Sequence, residues 1–411
     1  MLVPACLLHV PGRCTMFPSA LAPRFLALIG AGLVMAAAGY AGAAVVGVLR
    51  GRRPKRGLSP VPPPVPVTVL KPLCGGERRL YENLRTFCVQ SHPSFQMLCG
   101  VRDPDDPAIE VVRRLQLEFP AVDLQLVIDS RVYGANLKVS NLINLVPHIR
   151  HSVLVIADSD IAVRPDYLER VTVPIADPSV GVVTCLYRGW ALGGVWTRLG
   201  ALFINDWFAP SVRVSTLFGS SRFSFGATLA LRREVLEAAG GFSALNDVLA
   251  DDFWLGEFTR RLELRTILSE VVVTSDVIDS SFPALWAHEL RWMRTIRAAE
   301  PLGFAFTFIT FTFPVLAIGC ALGREPWIGL VAVAGAAARL ALHLLQTERL
   351  TATDCLLVPL RDSLSLIEWA AAHFGSRVRW RDHILDAFAD RPPPTAPAVR
   401  RAEPDPLVPR P

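Results

Sequence analysis

The chain has 411 residues, 51% of them hydrophobic, a mean hydropathy of +0.37 and a formal net charge of +5. It is longer and more apolar than one ordinary soluble domain, which points to a membrane component. The positive charge sits largely in short flanks, and no basic stripe interleaved with aromatics suggests a nucleic-acid partner.

Residues 1–24 read as an N-terminal extension whose start is Met1 or Met16. Residues 25–49, FLALIGAGLVMAAAGYAGAAVVGVL, carry no charge. At about 1.5 Å per helical residue such a run crosses a hydrocarbon core of roughly 30 Å, so a transmembrane helix is expected. It is too long for the apolar region of a cleaved signal peptide, about 7–15 residues. Arg50, Arg52, Arg53, Lys55 and Arg56 follow directly. Short basic flanks stay on the cytoplasmic side, so the large region beyond is expected to face the cytoplasm. Residues 50–66 form a basic and proline-rich linker in which SPVPPPVP favours an extended, semi-rigid spacer.

From residue 67 short apolar strands interleave with helices. VTVL (67–70), FQMLCGVR (95–102), LQLVI (124–128) and SVLVIA (152–157) read as strands, separated by the helical GERRLYENLRTFCVQ, DDPAIEVVRRLQLEF and NLKVSNLINLV. This alternation predicts βαβ units and a mainly parallel sheet covered on both faces. In such sheets ligands sit beyond the carboxyl ends of the strands. SVLVIA ends at Ala157, so Asp158 and Asp160 emerge together at that rim. Carboxylate oxygens suit Mg2+ or Mn2+, which complete their shells with water and substrate phosphate. An isolated Asp-x-Asp is equally a solvated turn that caps the next helix.

Farther along, residues 302–322 and 327–345 are apolar stretches joined by the short GREP turn, and a transmembrane hairpin over 302–345 is expected. Arg339 interrupts its second arm and needs a partner or an interfacial position. Residues 354–387 are interrupted by Arg361, Asp362 and Glu368, which argues for a helix lying in the interface. The proline-rich tail, 388–411, is expected to be disordered. The eight cysteines show no metal-ligand or redox spacing, and His148 and His151 lack a third ligand, so no zinc site is expected.

Seven stretches place the two rim aspartates in context: LKPLCG, VRDPDDPAIEVV, ANLKVSNL, ADSDI, FGATLALRREVLEAAGGF, LADDFWLG and HELRWMRT. Their order resembles that of membrane-bound family-2 glycosyltransferases, more narrowly the ceramide glucosyltransferase branch and, within it, the bacterial hopanoid-associated glycosyltransferases. The resemblance implies a GT-A catalytic domain over residues 67–300, an α/β, Rossmann-like fold with a mainly parallel sheet. It implies a divalent cation (Mg2+ or Mn2+) at Asp158 and Asp160, with Asp158 also on the donor side, and a nucleotide contact at Asp103. It places the catalytic base at Asp252 and an arginine–tryptophan motif at Arg291 and Trp292. Arg291 can pair with diphosphate oxygens and Trp292 can offer a flat wall.

Lys138 is a candidate phosphate partner, although a solvated helix lysine fits the same spacing. Asp103 could instead cap a helix, and so could one of Asp251 and Asp252. His288 stands where the family commonly has glutamine or arginine. The implied reaction is single-displacement, inverting transfer from a UDP-sugar, N-acetylglucosamine in the hopanoid group, to a membrane lipid acceptor. That acceptor is a hopanoid polyol such as bacteriohopanetetrol, or a ceramide-like lipid if the donor is UDP-glucose. The implied location is the bacterial inner membrane, crossed several times, with the catalytic domain cytoplasmic. Rival readings are a processive polysaccharide synthase, for which the spans are too few, and a non-catalytic lipid-binding scaffold.

Overall fold

The computed structural model describes residues 21–52, 63–347, 351–380 and 383–386. The start of the N-terminal extension, with Met1 and Met16, most of the proline-rich linker and the tail 388–411 lie outside the described residues. Helix α1 (Leu21–Gly51) contains the charge-free run. There follow β1 (Val67–Pro72), α2 (Leu80–Cys88), β2 (Phe95–Val101), α3 (Ala108–Glu118), β3 (Asp123–Ile128), α4 (Leu137–Leu145) and β4 (Val153–Ile156). The second half of the domain has β5 (Ile161–Ala162), α5 (Tyr167–Thr172), β6 (Val180–Ala191), α6 (Val195–Leu202), a π-helical turn (Phe203–Phe208) and α7 (Ala209–Leu217). It closes with β7 (Leu229–Arg232), α8 (Arg233–Ala238), α9 (Asp251–Arg261), β8 (Arg265–Val277) and α10 (Phe282–Ala299). Beyond it lie α11 (Pro301–Phe306), α12 (Thr312–Leu322), α13 (Pro326–Gln346), α14 (Ala352–Ala372) and a hairpin of β9 (Arg377–Trp380) and β10 (His383–Asp386).

Strands β1 to β8 form one sheet in the order β3-β2-β1-β4-β7-β6-β8-β5. The first four are mutually parallel, as the alternation predicts. β7 then enters antiparallel to both β4 and β6, which makes the sheet mixed. The chain winds outward from β1 to β3 and returns to lay β4 on the other side of β1. That reversal opens a crevice beyond the carboxyl ends of β1 and β4. Alternate residues of β4 face opposite cores: Val153 and Val155 pack under α2, α3 and α5, Leu154 and Ile156 under α4, α8 and α9. Coverage on both faces explains why the strand reads as an unbroken apolar run.

Among the described residues two helices, α1 from Pro23 and α13, are long and apolar enough to cross a membrane. The expected first arm of the hairpin, 302–322, is not one straight helix: the segment Pro301–Thr310 meets α12 at 75°. Pro314 accounts for the break, because it has no N–H to offer the Thr310 carbonyl and its ring would strike that carbonyl in a continuous helix. α12 packs along α1, where a Cβ on Gly319 would lie 2.6 Å from Val34 and 2.8 Å from the Gly30 carbonyl.

The charges of α14 face inward, contrary to the water-facing role that suggested an interfacial helix. Arg361, Asp362 and Glu368 are 1%, 3% and 0% exposed. Arg361 pairs with Glu289 of α10 at 2.8 Å and with Glu368 at 2.6 Å, and Asp362 pairs with Arg339 of α13 at 2.7 Å. Arg339 also reaches Asp206 in the π-helical turn, 3.4 Å away, and His343 lies 2.7 Å from the same carboxylate. Apart from Glu368, which lies on α14 itself, the partners come from other helices, so local spacing could not reveal them.

Candidate active site

The crevice beyond β1 and β4 collects side chains from strands, helices and loops far apart in the chain. β4 delivers Asp158 and Asp160 to the rim, and the Lys71 ammonium at the end of β1 donates to the Asp158 carbonyl. Asn136 caps α4 by accepting from the Val139 N–H at 3.1 Å, which fixes the helix start and aims Lys138 at the rim. Lys138 Nζ lies 2.7 Å from Asp158 Oδ1 and 3.1 Å from Asp251 Oδ2. It is therefore a half-buried bridge between two acidic pairs and not a solvated helix lysine. Burial disfavours its charge, but Asp158, Asp251 and Asp252 outweigh that and hold its pKa above the ordinary lysine value.

Asp251 and Asp252 open α9, next to the Ala250 N-cap. Asp252 Oδ2 accepts from the Gly226 N–H at 2.7 Å and Oδ1 from the Phe253 N–H at 2.8 Å. Two amide donors normally depress a carboxyl pKa. Burial, aided by the Asp251 charge, nevertheless pushes Asp252 up to about 6. Asp160 accepts from the Ser275 hydroxyl of β8 at 2.6 Å, and burial together with Asp158 pushes it up to about 7. Both are carboxylates whose negative charge the protein only partly compensates.

Gly226 separates these groups. A Cβ there would lie 2.8 Å from Asp158 Oδ2, 3.2 Å from Lys138 Nζ and 3.5 Å from Asp252 Oδ2, so only glycine leaves the space between the two acidic pairs open. Asp158 and Asp160 supply hard oxygen donors there, and they fit a divalent cation. Among the described residues no group of three or more His, Cys, Asp or Glu side chains surrounds a common point, so most of such a shell would come from substrate and water.

Asp103, Lys138, Asp158, Asp160, Asp252, Arg291 and Trp292 all line one cavity of about 1470 Å3. Asp103 is exposed and accepts from the Asp105 N–H at 3.0 Å. The start of α3 is instead held by Asp106, whose carboxylate accepts from the Ala108 N–H at 2.8 Å and from the Gly75 N–H at 2.9 Å. Trp292 lies against Phe203, ring centres 5.7 Å apart, and against His288 at 4.3 Å. His288 also meets Asp279 at 3.0 Å.

Sequence reasoning missed Lys71, Ser275, Gly226 and Tyr187. Lys71 carried a usable signal, a lysine inside the otherwise apolar VTVLKP. It is fully buried, lies 4.1 Å from the Phe87 ring centre, and burial pushes its pKa down to about 8 against the pull of Asp160 and Asp158. Tyr187 of β6 also lines the cavity, packed on Phe208 with ring centres 4.9 Å apart.

Residues 31–391 match the family model described as glycosyl transferase family 21. The chain belongs to glycosyl transferase family 21. The motif order was likened to family 2; the matched family is 21, and the likeness to ceramide glucosyltransferases stands at that level. This family-21 chain is 27% identical over 192 residues to ceramide glucosyltransferase 1 of Caenorhabditis elegans, covering 46% of this chain and 41% of the relative. It is 24% identical over 243 residues to ceramide glucosyltransferase 3 of the same organism, covering 57% and 51%. The chain thus spans about half the length of these curated relatives or less. A mannosyltransferase from Pyrobaculum calidifontis, solved with GDP-Man and Mn2+, superposes with a TM-score of 0.52 over 85% of this chain and 97% of its own, at 21% identity. At that identity the likeness is one of fold, and the fold is GT-A.

Proposed function

We propose that the protein is an inverting hexosyltransferase that moves a sugar from a nucleotide diphosphate donor to a hydroxyl of a membrane lipid. The observation that carries this reading is the one cavity in which the half-buried Asp252 carboxylate, pushed up to about 6, faces Asp158 and Asp160 across the gap kept by Gly226. Asp252 takes the proton of the acceptor hydroxyl as its oxygen bonds to the anomeric carbon. The bond from that carbon to the diphosphate oxygen breaks, and its electron pair leaves with the nucleoside diphosphate. One base opposite one leaving group gives one displacement and inversion. Asp158 and Asp160 would hold a divalent cation, which when bound supplies positive charge against the leaving diphosphate. Arg291 adds charge from the same wall, Lys138 and Asp103 contact the donor, and Trp292 borders the reacting sugar.

The donor is UDP-N-acetylglucosamine and the acceptor a hopanoid polyol such as bacteriohopanetetrol, a reading that rests on the motif resemblance. A ceramide-like acceptor with UDP-glucose is the second reading, favoured by the names of the two C. elegans relatives. The apolar α1 and α13 support several crossings of a bacterial inner membrane, and Arg50 and Arg52 at the end of α1 support a cytoplasmic catalytic domain. Purified full-length protein, given UDP-sugars, Mg2+ or Mn2+ and mixed hydroxylated lipids, is expected to release UDP only with metal and acceptor together. No release with any lipid would leave a non-catalytic scaffold as the better account. Lipid profiles of a hopanoid-producing host lacking the gene separate the acceptors: loss of sugar-bearing hopanoids supports the first reading, loss of a glycosylated sphingolipid the second.

A further inference from the structure

The cavity that holds the carboxylates extends well past them. At about 1470 Å3 it is larger than the roughly 300–1,000 Å3 of a pocket for one small ligand. Its far arm is lined by Tyr40 of α1, Ser211 and Ser215 of α7, and Phe306, Thr307 and Thr310 around the bend before α12. Tyr40 belongs to a helix long and apolar enough to cross the membrane, so this arm of the cavity reaches the membrane part of the molecule.

A chain of hydrogen bonds ties the walls of that arm together. Trp207 Nε1 donates to Thr310 Oγ1 at 2.7 Å, and the Trp207 carbonyl accepts from Ser211 Oγ at 2.6 Å. Ser211 and Tyr40 hydroxyls lie 2.7 Å apart. A serine hydroxyl has one proton, and that of Ser211 is committed to the Trp207 carbonyl, so Tyr40 donates to Ser211. The phenolic oxygen of Tyr40 then keeps its lone pairs, and the group it can still receive is a hydrogen-bond donor such as a hydroxyl. Arg222 and Glu300, the ionic groups lining this end of the cavity, lie 3.5 Å apart, so their opposite charges offset each other there. Leu302 and Phe306 on α11 are 79% and 64% exposed, an apolar surface beside the arm.

We propose that this arm is the acceptor subsite. It admits, sideways from the bilayer between α1, α7 and α11, an amphiphile whose uncharged polyol head donates a hydrogen bond to Tyr40 and whose tail stays against α11. The inference rests on the transferase reading and adds which residues recognise the acceptor.

The test uses full-length protein in phosphatidylcholine vesicles with a synthetic hexadecyl-linked tetrol as acceptor. Tyr40→Phe keeps the ring and removes one hydrogen bond, so the acceptor KM is expected to rise about three- to tenfold while kcat and UDP affinity hold. Ser211→Trp fills the arm and is expected to abolish transfer while UDP still binds. An unchanged KM in Tyr40→Phe, or an equal loss of UDP affinity, overturns the subsite. A diazirine-bearing tetrol gives a readout independent of turnover: cross-links are expected on α1 and α7. Cross-links there without transfer to any acceptor would support the subsite and sink the transferase reading. Transfer with cross-links confined to the outer faces of α12 and α13 would do the reverse.

Discussion

Glu289 and Arg291 are two residues apart on α10 and serve two differently built clusters of buried charge. Glu289 meets Arg361 and Glu368, while Arg339, Asp206, Asp362 and His343 close a second set nearby. In these sets each carboxylate has a cationic partner or histidine within 3.4 Å, and they bind α13 and α14 to the catalytic domain. Arg291 instead lines the open cavity, where Asp158, Asp160, Asp251 and Asp252 lie near Lys138 and Lys71, and where the Asp158 side chain is 36% exposed. Burial first and a neighbouring aspartate second push Asp252 up to about 6 and Asp160 up to about 7, and burial pushes Glu289 and Glu368 up as well. Sealed between packed helices, such charge locks elements together; on the wall of an open cavity it stays within reach of a proton or a cation.

That contrast is broken most sharply at Asp252. Asp252→Asn keeps the shape and cannot accept a proton, so turnover should fall about 10²–10⁴-fold with donor affinity retained. Because the folded state holds this proton more tightly than the unfolded chain does, the ionised carboxylate costs stability as pH rises through about 6. The amide removes that cost, but its NH2 must face one of the two N–H groups that the carboxylate accepts from, so the melting temperature at pH 7–8 should change little. Near-normal turnover would move the base to Asp251.

Arg361→Met should do the opposite. It leaves Glu289 and Glu368 buried without their cation, and stability should drop by about 3–5 kcal/mol, read as a fall in melting temperature in detergent. An unchanged melting temperature would mean that the cluster takes up a proton and keeps its packing. Asp160→Ala comes next, with metal-dependent donor affinity expected to weaken at least tenfold, about 1.4 kcal/mol. If affinity stays metal-dependent and unchanged by titration calorimetry, Asp160 is not a ligand. The smallest effect concerns pH. The base must be ionised, so kcat should decline as pH falls through about 6, and apparent cation affinity should decline as protons compete for Asp160 near pH 7. A flat profile from pH 5 to 8 would contradict both assignments.

The first half of the domain was legible because its signals are local. Apolar runs of strand length mark β1 to β4, and two carboxylates directly after β4 mark the rim whatever the rest of the chain does. The charge-free run of α1 is local in the same sense. Pro314 was equally visible, and a reading by length alone passed over it, so the bend before α12 appeared only with the structure. After Ala157 the alternation fades, since β7 is antiparallel and β6 and β8 are long strands that carry bulges and irregular pairing.

By itself the sequence determined which residue types reach the rim and which stretches are apolar enough to enter a bilayer, because both depend on neighbours within a few positions. Only the tertiary structure decided what those residues face. Lys138 meets Asp158 and also Asp251, which lies more than a hundred residues further along the chain, Gly226 holds the gap between two acidic pairs, and Arg361 turns inward to Glu289. The worth of a charge depends on burial and on partners within a few ångströms, and folding sets that distance independently of spacing along the chain.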